Sequence, residues 1–276
     1  MNSKVKYRYN SLEDFLIFKP LSVDGQLDDG WGAIFSVKGC EIKATILFVD
    51  ITSFSKRTFG LSPTETLIFV NNFFTWITAE AFAEALIVGS GIIDKYIGDE
   101  IMIIFSEEFG SQDSFVDALQ TAKLMADNDA LDFCPHMGIA NGLVTVGFVG
   151  TPLKYNCSVF GMPVVLAKRC ASVTPQTLTF PSIIFPAELW KNYSFEEIFH
   201  SQEYKKPDGM IQKLPLTWEL LPARKVQMKN IPDTEILEVA KKTKFMPSLS
   251  AEERAKEALL SFQKTGKYKP ANIKGK

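Results

Sequence analysis

The chain has 276 residues, enough for one large domain or a domain with extensions and ample for a substantial core, and its net charge is only −2. No apolar run reaches the length of a membrane span, because the richest stretch, Leu67 to Ile93, is broken by Asn71, Asn72, Glu80 and Glu84. Met1 to Asn10 is polar and lacks the hydrophobic region of a signal peptide, so a cytoplasmic location is expected. The small net charge hides an asymmetry: from Lys241 onward ten Lys/Arg face three Asp/Glu, leaving the tail at +7 and the remainder at −9. Such a tail is more often solvated than bound, and no nucleic-acid partner is expected. Cys40, Cys134, Cys157 and Cys170 form no Cys-x-x-Cys pair and read as reduced, mostly buried thiols. The two histidines, His136 and His200, leave little room for a zinc site.

In chain order, residues 1–40 mix polar residues with Tyr7, Tyr9, Phe15, Phe18 and Trp31, and read as an arm packed on the core or on a dimer partner. Ala44 to Phe54 is a nearly continuous apolar run interrupted by Asp50, which reads as a buried strand. Ser62-Pro63-Thr64-Glu65 is a capping box with proline at the first helical position. The following helix is expected to place Leu67, Val70, Phe74 and Ile77 on one stripe with Phe73 alongside, as core. Gly89-Ser90-Gly91 breaks the chain before Ile92 to Phe105, two apolar runs that meet at Gly98-Asp99 and so predict a hairpin. Alternation puts Lys95 on the same side as Ile93 and Ile97, where an unpaired ammonium would be costly and a pocket or partner is expected.

A second helix is predicted from about Asp113 to Asn128, with Phe115, Ala118, Leu119, Ala122 and Met125 at helical spacing. Two strands follow near His136 to Ala140 and Leu143 to Val149, and Gly161-Met162-Pro163 opens a helix on which Val165 and Arg169 share a face. Strands are expected at Ile183 to Phe185 and Thr217 to Leu221, with a loop-rich insertion between them. Val226 to Val239 is expected to hold the last strand pair. Ser250-Ala251-Glu252-Glu253 caps a final amphipathic helix, and Thr265 onward is expected to be disordered. No internal repeat is visible. The order predicts an α+β sandwich, an antiparallel or mixed sheet with packed helices.

If the strands carrying Asp50 and Asp99 pair, the two carboxylates lie side by side and repel unless a cation sits between them. Mg²⁺ prefers carboxylate and phosphate oxygens, so the pair suits two-metal phosphoryl or nucleotidyl transfer. On spacing alone, Asp50 capping a turn and Asp99 filling the hairpin explain the residues as well.

Phe48-Val49-Asp50-Ile51 through Phe54, Lys95 through Glu100, Gly138 through Gly142, Val149-Gly150-Thr151 and Val159 through Arg169 together resemble the catalytic domain of class III nucleotidyl cyclases, in the right order from Glu41 to Ser172. The resemblance implies a ferredoxin-like core with extensions, the catalytic domain spanning residues 41–240 between the arm and a basic tail, residues 241–276, with one helix. It implies two divalent cations, Mg²⁺ or Mn²⁺, on Asp50, Asp99 and the carbonyl of Ile51. The backbone N–H groups of Thr52, Ser53 and Phe54 would cradle the terminal phosphates, and Arg169 would steady the α phosphate. Lys95 and Ser158 would meet the base, and Lys95 argues against GTP. Val165 stands where the family has a ribose-orienting asparagine, Met162-Pro163 replaces an Asp-Thr pair, and Leu143 replaces an arginine found in some members. The resemblance also implies a homodimer whose two active sites each draw metal ligands from one subunit and base and α-phosphate contacts from the other.

Pro135 to Ala140 and Gly150 to Gly161 further resemble the compact pyrimidine cyclases of Pycsar antiphage systems, which implies cyclic UMP or cyclic CMP as product and a separate effector protein to sense it. Lysine is a pure donor and suits uracil's carbonyl oxygens, which ranks UTP first, then CTP, then ATP, with GTP last. An adenylyl cyclase and a non-catalytic nucleotide-binding module are the competing readings. A diguanylate cyclase is disfavoured because Ile97 and Ile101 replace residues of its signature turn.

Overall fold

The computed structural model describes residues 9–242 apart from 29, 33, 79–90, 130–132, 152–153, 177–180, 200–202, 206–210 and 214–216, together with helical positions 253, 256, 257, 259, 260 and 264. Its spine is a 17-residue strand, β2 (Ile34–Asp50), preceded by α1 (Leu12–Ile17) and β1 (Val23–Asp28). From Ala44 to Val49 every side chain of β2 is buried, as the continuous apolar run requires of a strand covered on both faces. After it come α2 (Phe54–Thr58), α3 (Pro63–Thr78) and the hairpin β3 (Ile92–Ile97) and β4 (Glu100–Phe105). Next are α4 (Ser114–Asp127), β5 (His136–Thr151), β6 (Lys154–Phe160) and α5 (Met162–Ala171). The chain finishes with β7 (Ser182–Pro186), α6 (Phe195–Ile198), β8 (Glu203–Lys205), β9 (Ile211–Lys213), β10 (Trp218–Met228) and β11 (Ile231–Lys241).

The described strands form a nine-stranded sheet in the order β10-β11-β7-β5-β2-β4-β3, with β1 also on β2 and β6 also on β5, and a separate β8–β9 pair. Among the described strands only β5 and β7 run parallel, so the sheet is mixed. The fold is α+β, as the order of elements predicts. The two strands expected around Asn141-Gly142 are one: β5 runs straight through, because β2 holds it in unbroken register from Gly39↔Gly147 to Asp50↔His136. That ladder overrides the local turn signal. The alternating pattern of residues 154–160, to which the sequence assigns no strand, becomes β6 by pairing with the end of β5.

Helices cover both faces. On one face α3 and α4 bury Phe69, Phe73, Trp76, Ile77, Phe115, Leu119 and Met125 against Leu47, Ile101, Ile103 and Ile139. Every predicted apolar position of α4 is buried, and Asp113 caps the helix by accepting from the N–H groups of Phe115 and Val116. The capping box of α3 also forms: Ser62 N–H donates to Glu65 at 2.8 Å, and Glu65 N–H donates back to Ser62 Oγ at 3.3 Å. The expected stripe on α3 is corrected in part, since Phe73 and Ile77 are buried as expected. Leu67 is 62% exposed, and the buried stripe is Phe69, Phe73, Trp76 and Ile77. Turning the helix this way buries three aromatic side chains against Phe133.

On the opposite face lie α1 and α5. The arm residue Phe15 is fully buried edge-on to Tyr9 and Phe109, although Trp31 stands in solvent. Helix α5 sits so close to β5 that a Cβ on Gly138 would lie 2.1 Å from the Ala167 carbonyl oxygen and 2.2 Å from the Ala171 nitrogen. The four cysteines are buried thiols outside any disulfide, as expected. The cap at Ser250 to Glu252, His200, Tyr7, Gly89 and Ser90 lie outside the described residues, although Glu253 is helical. Among the described residues no helix is long and apolar enough to cross a membrane.

Because backbone, not a flexible side chain, fills the space at Gly138, Gly138→Ala should destabilise the protein by roughly 3 kcal/mol or more, the upper end of overpacking penalties. Urea denaturation followed by tryptophan fluorescence measures this. A loss below about 1 kcal/mol would mean that α5 does not seat on β5 this closely.

Candidate active site

Asp50 ends the central strand, paired with Glu100 of β4 on one side and with His136 of β5 on the other. The Gly98-Asp99 turn, with Gly98 at φ +63°, joins β3 to β4 and returns Asp99 to the same end of the sheet. Ligand oxygens of Asp50, Asp99 and Glu100 all lie within 4.8 Å of one another. The expected Asp50–Asp99 pair is therefore present, and Glu100 joins it. Burial first, and then the adjoining Asp99 carboxylate, push the Asp50 carboxyl up to about 7, while Lys168 and the Ile51 N–H pull it down. Three half-buried carboxylates so arranged suit a divalent cation, an oxygen-seeking ion whose charge would remove that repulsion.

The loop after β2 is tightly held. Ile51 is buried, Ser53 adopts a left-handed backbone at φ 56°, and Thr52 Oγ1 donates to the carbonyl of Cys134, itself at φ 51°. Two left-handed non-glycine residues, Ser53 and Cys134, the second held by Thr52, indicate local strain maintained by the surrounding packing. This turn begins α2 at Phe54. His136 lies alongside, its Nε2 buried with no partner among the described residues. Burial, then Arg57, lower its pKa.

Helix α5 brings a residue the sequence reading passed over. Lys168 makes an ion pair with Glu100, and its ammonium lies 5.9 Å from the Phe48 ring centroid. Burial lowers its pKa while Asp50 and Asp99 raise it. The next residue, Arg169, makes no ion pair with the acidic trio among the described residues, and its Nε is buried without a hydrogen-bond partner among them. Val165 is 45% exposed and Leu143 is exposed on β5.

Lys95 and Ser158 do come together, the Lys95 ammonium donating to Ser158 Oγ across strands that are not neighbours in the sheet. The alternation expected for Lys95 is corrected by a bulge between Ile93 and Lys95. Near the bulge, Asp94 is almost wholly buried, 3.1 Å from Lys95 Nζ, and accepts from Ser158 Oγ at 3.2 Å. Burial raises the Asp94 pKa and its contacts with Lys95 and Ser158 oppose this; Oδ1 has no partner among the described residues. A strict period of two hid Asp94, because a bulge leaves no compositional mark unless it carries glycine.

No protein-family model matches the chain. An adenylate cyclase of Anabaena cylindrica is 30% identical over 190 residues, covering 61% of this chain and 36% of that protein. An uncharacterized protein of Mycobacterium tuberculosis is 29% identical over 134 residues, covering 48% of this chain and 23% of its own length. The chain thus spans well under half of these curated relatives. Among solved structures, the adenylyl cyclase CyaB of P. aeruginosa superimposes with a TM-score of 0.53 at 18% identity, covering 76% of this chain and 98% of that one. The guanylyl cyclase Cya2 gives 0.52 at 19% identity, covering 77% and 98%. The guanylate cyclase domain of RhGC from Catenaria anguillulae in complex with GTP gives 0.52 at 17%, covering 74% and 99%. The fold is that of class III cyclase catalytic domains. At these identities the structural likeness speaks for architecture alone.

A carboxyl whose folded pKa is raised from 3.8 to about 7 favours the folded state while protonated. That contribution is full below the unfolded value and is lost as pH rises through about 7. Asp50→Asn should therefore raise the unfolding temperature of the metal-free protein by a few degrees at pH 8, with the gain fading toward pH 4. Calorimetry across this range checks it, and an equal or lower transition in the variant at pH 8 would contradict it.

Proposed function

We propose that the protein is a nucleotidyl cyclase that converts a nucleoside triphosphate to a 3′,5′-cyclic mononucleotide and pyrophosphate. The observation that carries this reading is the cluster of Asp50, Asp99 and Glu100 at the open end of β2 and β4, on a cyclase fold. Asp50, Asp99 and the Ile51 carbonyl would hold two Mg²⁺ or Mn²⁺ ions. When bound, such ions lower the pKa of the ribose 3′-hydroxyl and neutralise phosphate charge. The 3′-oxygen attacks the α phosphorus and loses its proton; one P–O bond forms, the bond to the bridging oxygen of the β phosphate breaks, and pyrophosphate leaves. Thr52, Ser53 and Phe54 offer backbone N–H groups to the terminal phosphates. Arg169 steadies the α phosphate, a preorganised contact whose loss typically costs about 100- to 1000-fold in rate.

UTP is the favoured substrate and CTP the next. Ser158 donates its proton to Asp94, so its remaining contacts are as an acceptor, and Lys95 is left as the donor at this end of the site. A lysine donor matches a uracil carbonyl, and an acceptor serine matches either uracil N3–H or the cytosine amino group. The likeness of Pro135 to Ala140 and Gly150 to Gly161 to Pycsar cyclases supports a cytoplasmic antiphage second-messenger synthase whose product a separate effector reads. The second reading, an adenylyl cyclase making cyclic AMP, is favoured by the Anabaena relative's name. Val165 replaces the ribose-orienting asparagine with a group that cannot hydrogen-bond, so the sugar is held otherwise.

Incubating the purified protein with Mn²⁺ and each of the four triphosphates, read by mass spectrometry, should give mainly cyclic UMP. Asp99→Ala should lose at least about 1000-fold, comparable to losing a main electrostatic contact. Cyclic AMP alone would favour the second reading, and no cyclic product from any triphosphate would overturn the cyclase assignment.

The site is proposed to be shared across a homodimer, with metal ligands from one subunit and Lys95, Ser158 and Arg169 from its partner. The exposed apolar side chains Leu143, Val149, Phe160, Met162 and Val165 support this. Asp50→Ala and Arg169→Ala should each be nearly inactive alone. Mixing them with proven subunit exchange should restore roughly a quarter of wild-type activity, because half the dimers are then mixed and each carries one intact site out of two. No restoration would exclude sharing.

A further inference from the structure

Lys168 has no role in the reading above, yet it is the side chain that α5 sends to the acidic trio. Its position follows from packing. Gly138 lets α5 approach β5 until Ala167 and Ala171 meet the strand backbone, which leaves the helix no latitude to shift. From there the four-carbon stem of Lys168 reaches past Phe48, itself 3% exposed, and delivers the ammonium to Glu100 within the field of Asp50 and Asp99. Lysine rather than arginine suits this task, being a compact point charge on a flexible stem. Arg169, one residue on, is carried about 100° around the helix.

We propose that Lys168 is a cation built into the metal site: in the metal-free chain it occupies the ground a divalent ion needs, and the ion must displace it from Glu100 to bind. This deepens the two-metal reading and rests on it. Three carboxylates converge where the reading needs only two, and the third, Glu100, is the one the lysine holds. Lys168 therefore sets how much divalent metal is required, keeping the site closed to weak or scarce ions until a nucleotide brings further negative charge. It is a positioning residue, acting on the ion through charge and on Glu100 through the ion pair. Because α5 also bears Arg169, displacing Lys168 removes one tie between that helix and β4.

The test is Mn²⁺ binding to the purified full chain without nucleotide, with free Mn²⁺ followed by electron paramagnetic resonance. Wild type should bind weakly, and Asp99→Asn should abolish that binding. Lys168→Met should bind Mn²⁺ about ten-fold more tightly or better. Lys168→Gln, which keeps a polar side chain should methionine disturb the fold, should tighten binding in the same direction. Unchanged or weaker affinity in folded Lys168 variants overturns the proposal while leaving the metal site standing. Binding insensitive to Asp99→Asn, or absent from wild type and variants alike, overturns the metal-site reading and this proposal with it.

Discussion

Mutual repulsion among three carboxylates is the constraint around which this structure is arranged. Asp50, Asp99 and Glu100 arrive together only because β2 is fixed by ladders on both sides, to β4 and to β5, so that its last residue has no freedom to splay. Burial heightens the repulsion by reducing the screening that water would give. Burial first, and then the Asp99 carboxylate, push the Asp50 carboxyl up to about 7. The energy that holds the cluster together comes from elsewhere, from the aromatic packing of α3 and α4 on one face and the seating of α1 and α5 on the other. This is the usual relation between a strained site and its scaffold.

A second polar knot lies at Asp94, Lys95 and Ser158, and it is built on the opposite principle. There the charges are balanced: a buried carboxylate, an ammonium and a hydroxyl satisfy one another, leaving one carboxylate oxygen unpartnered. Balanced groups present fixed donors and acceptors, whereas unbalanced ones attract cations. One hairpin contributes to both, Asp94 and Lys95 at the β3 bulge and Asp99 and Glu100 at the turn, and meets Ser158 of β6 at one and Asp50 of β2 at the other.

The far edge of the sheet carries structural rather than chemical polar groups. Glu238, 1% exposed, accepts from Arg224 and from the N–H of Gln176, tying β10 and β11 to the segment after α5. Asp127 likewise gathers Lys123, Lys241 and the indole of Trp218. Removing one member of such a buried pair typically costs about 3–5 kcal/mol, so these groups secure the sheet on which the acidic end depends.

The sequence by itself determined the elements whose signal is local. The apolar run ending at Asp50, the Gly98-Asp99 turn, the Asp113 cap and the capping box at Ser62 each specify their structure through short-range chemistry, and with them the acidic pair. Tertiary structure decided what depends on residues far apart in the chain. Whether α3 buries Leu67 or Phe69 depends on Phe133, and whether Asn141-Gly142 turns depends on β2. The bulge that turns Asp94 inward is set by pairing, and it carries no glycine to announce it. Lys168 was illegible for the same reason. One lysine on an amphipathic helix looks like any solvated charge until the missing Cβ of Gly138 brings that helix against the sheet and aims the ammonium at Glu100.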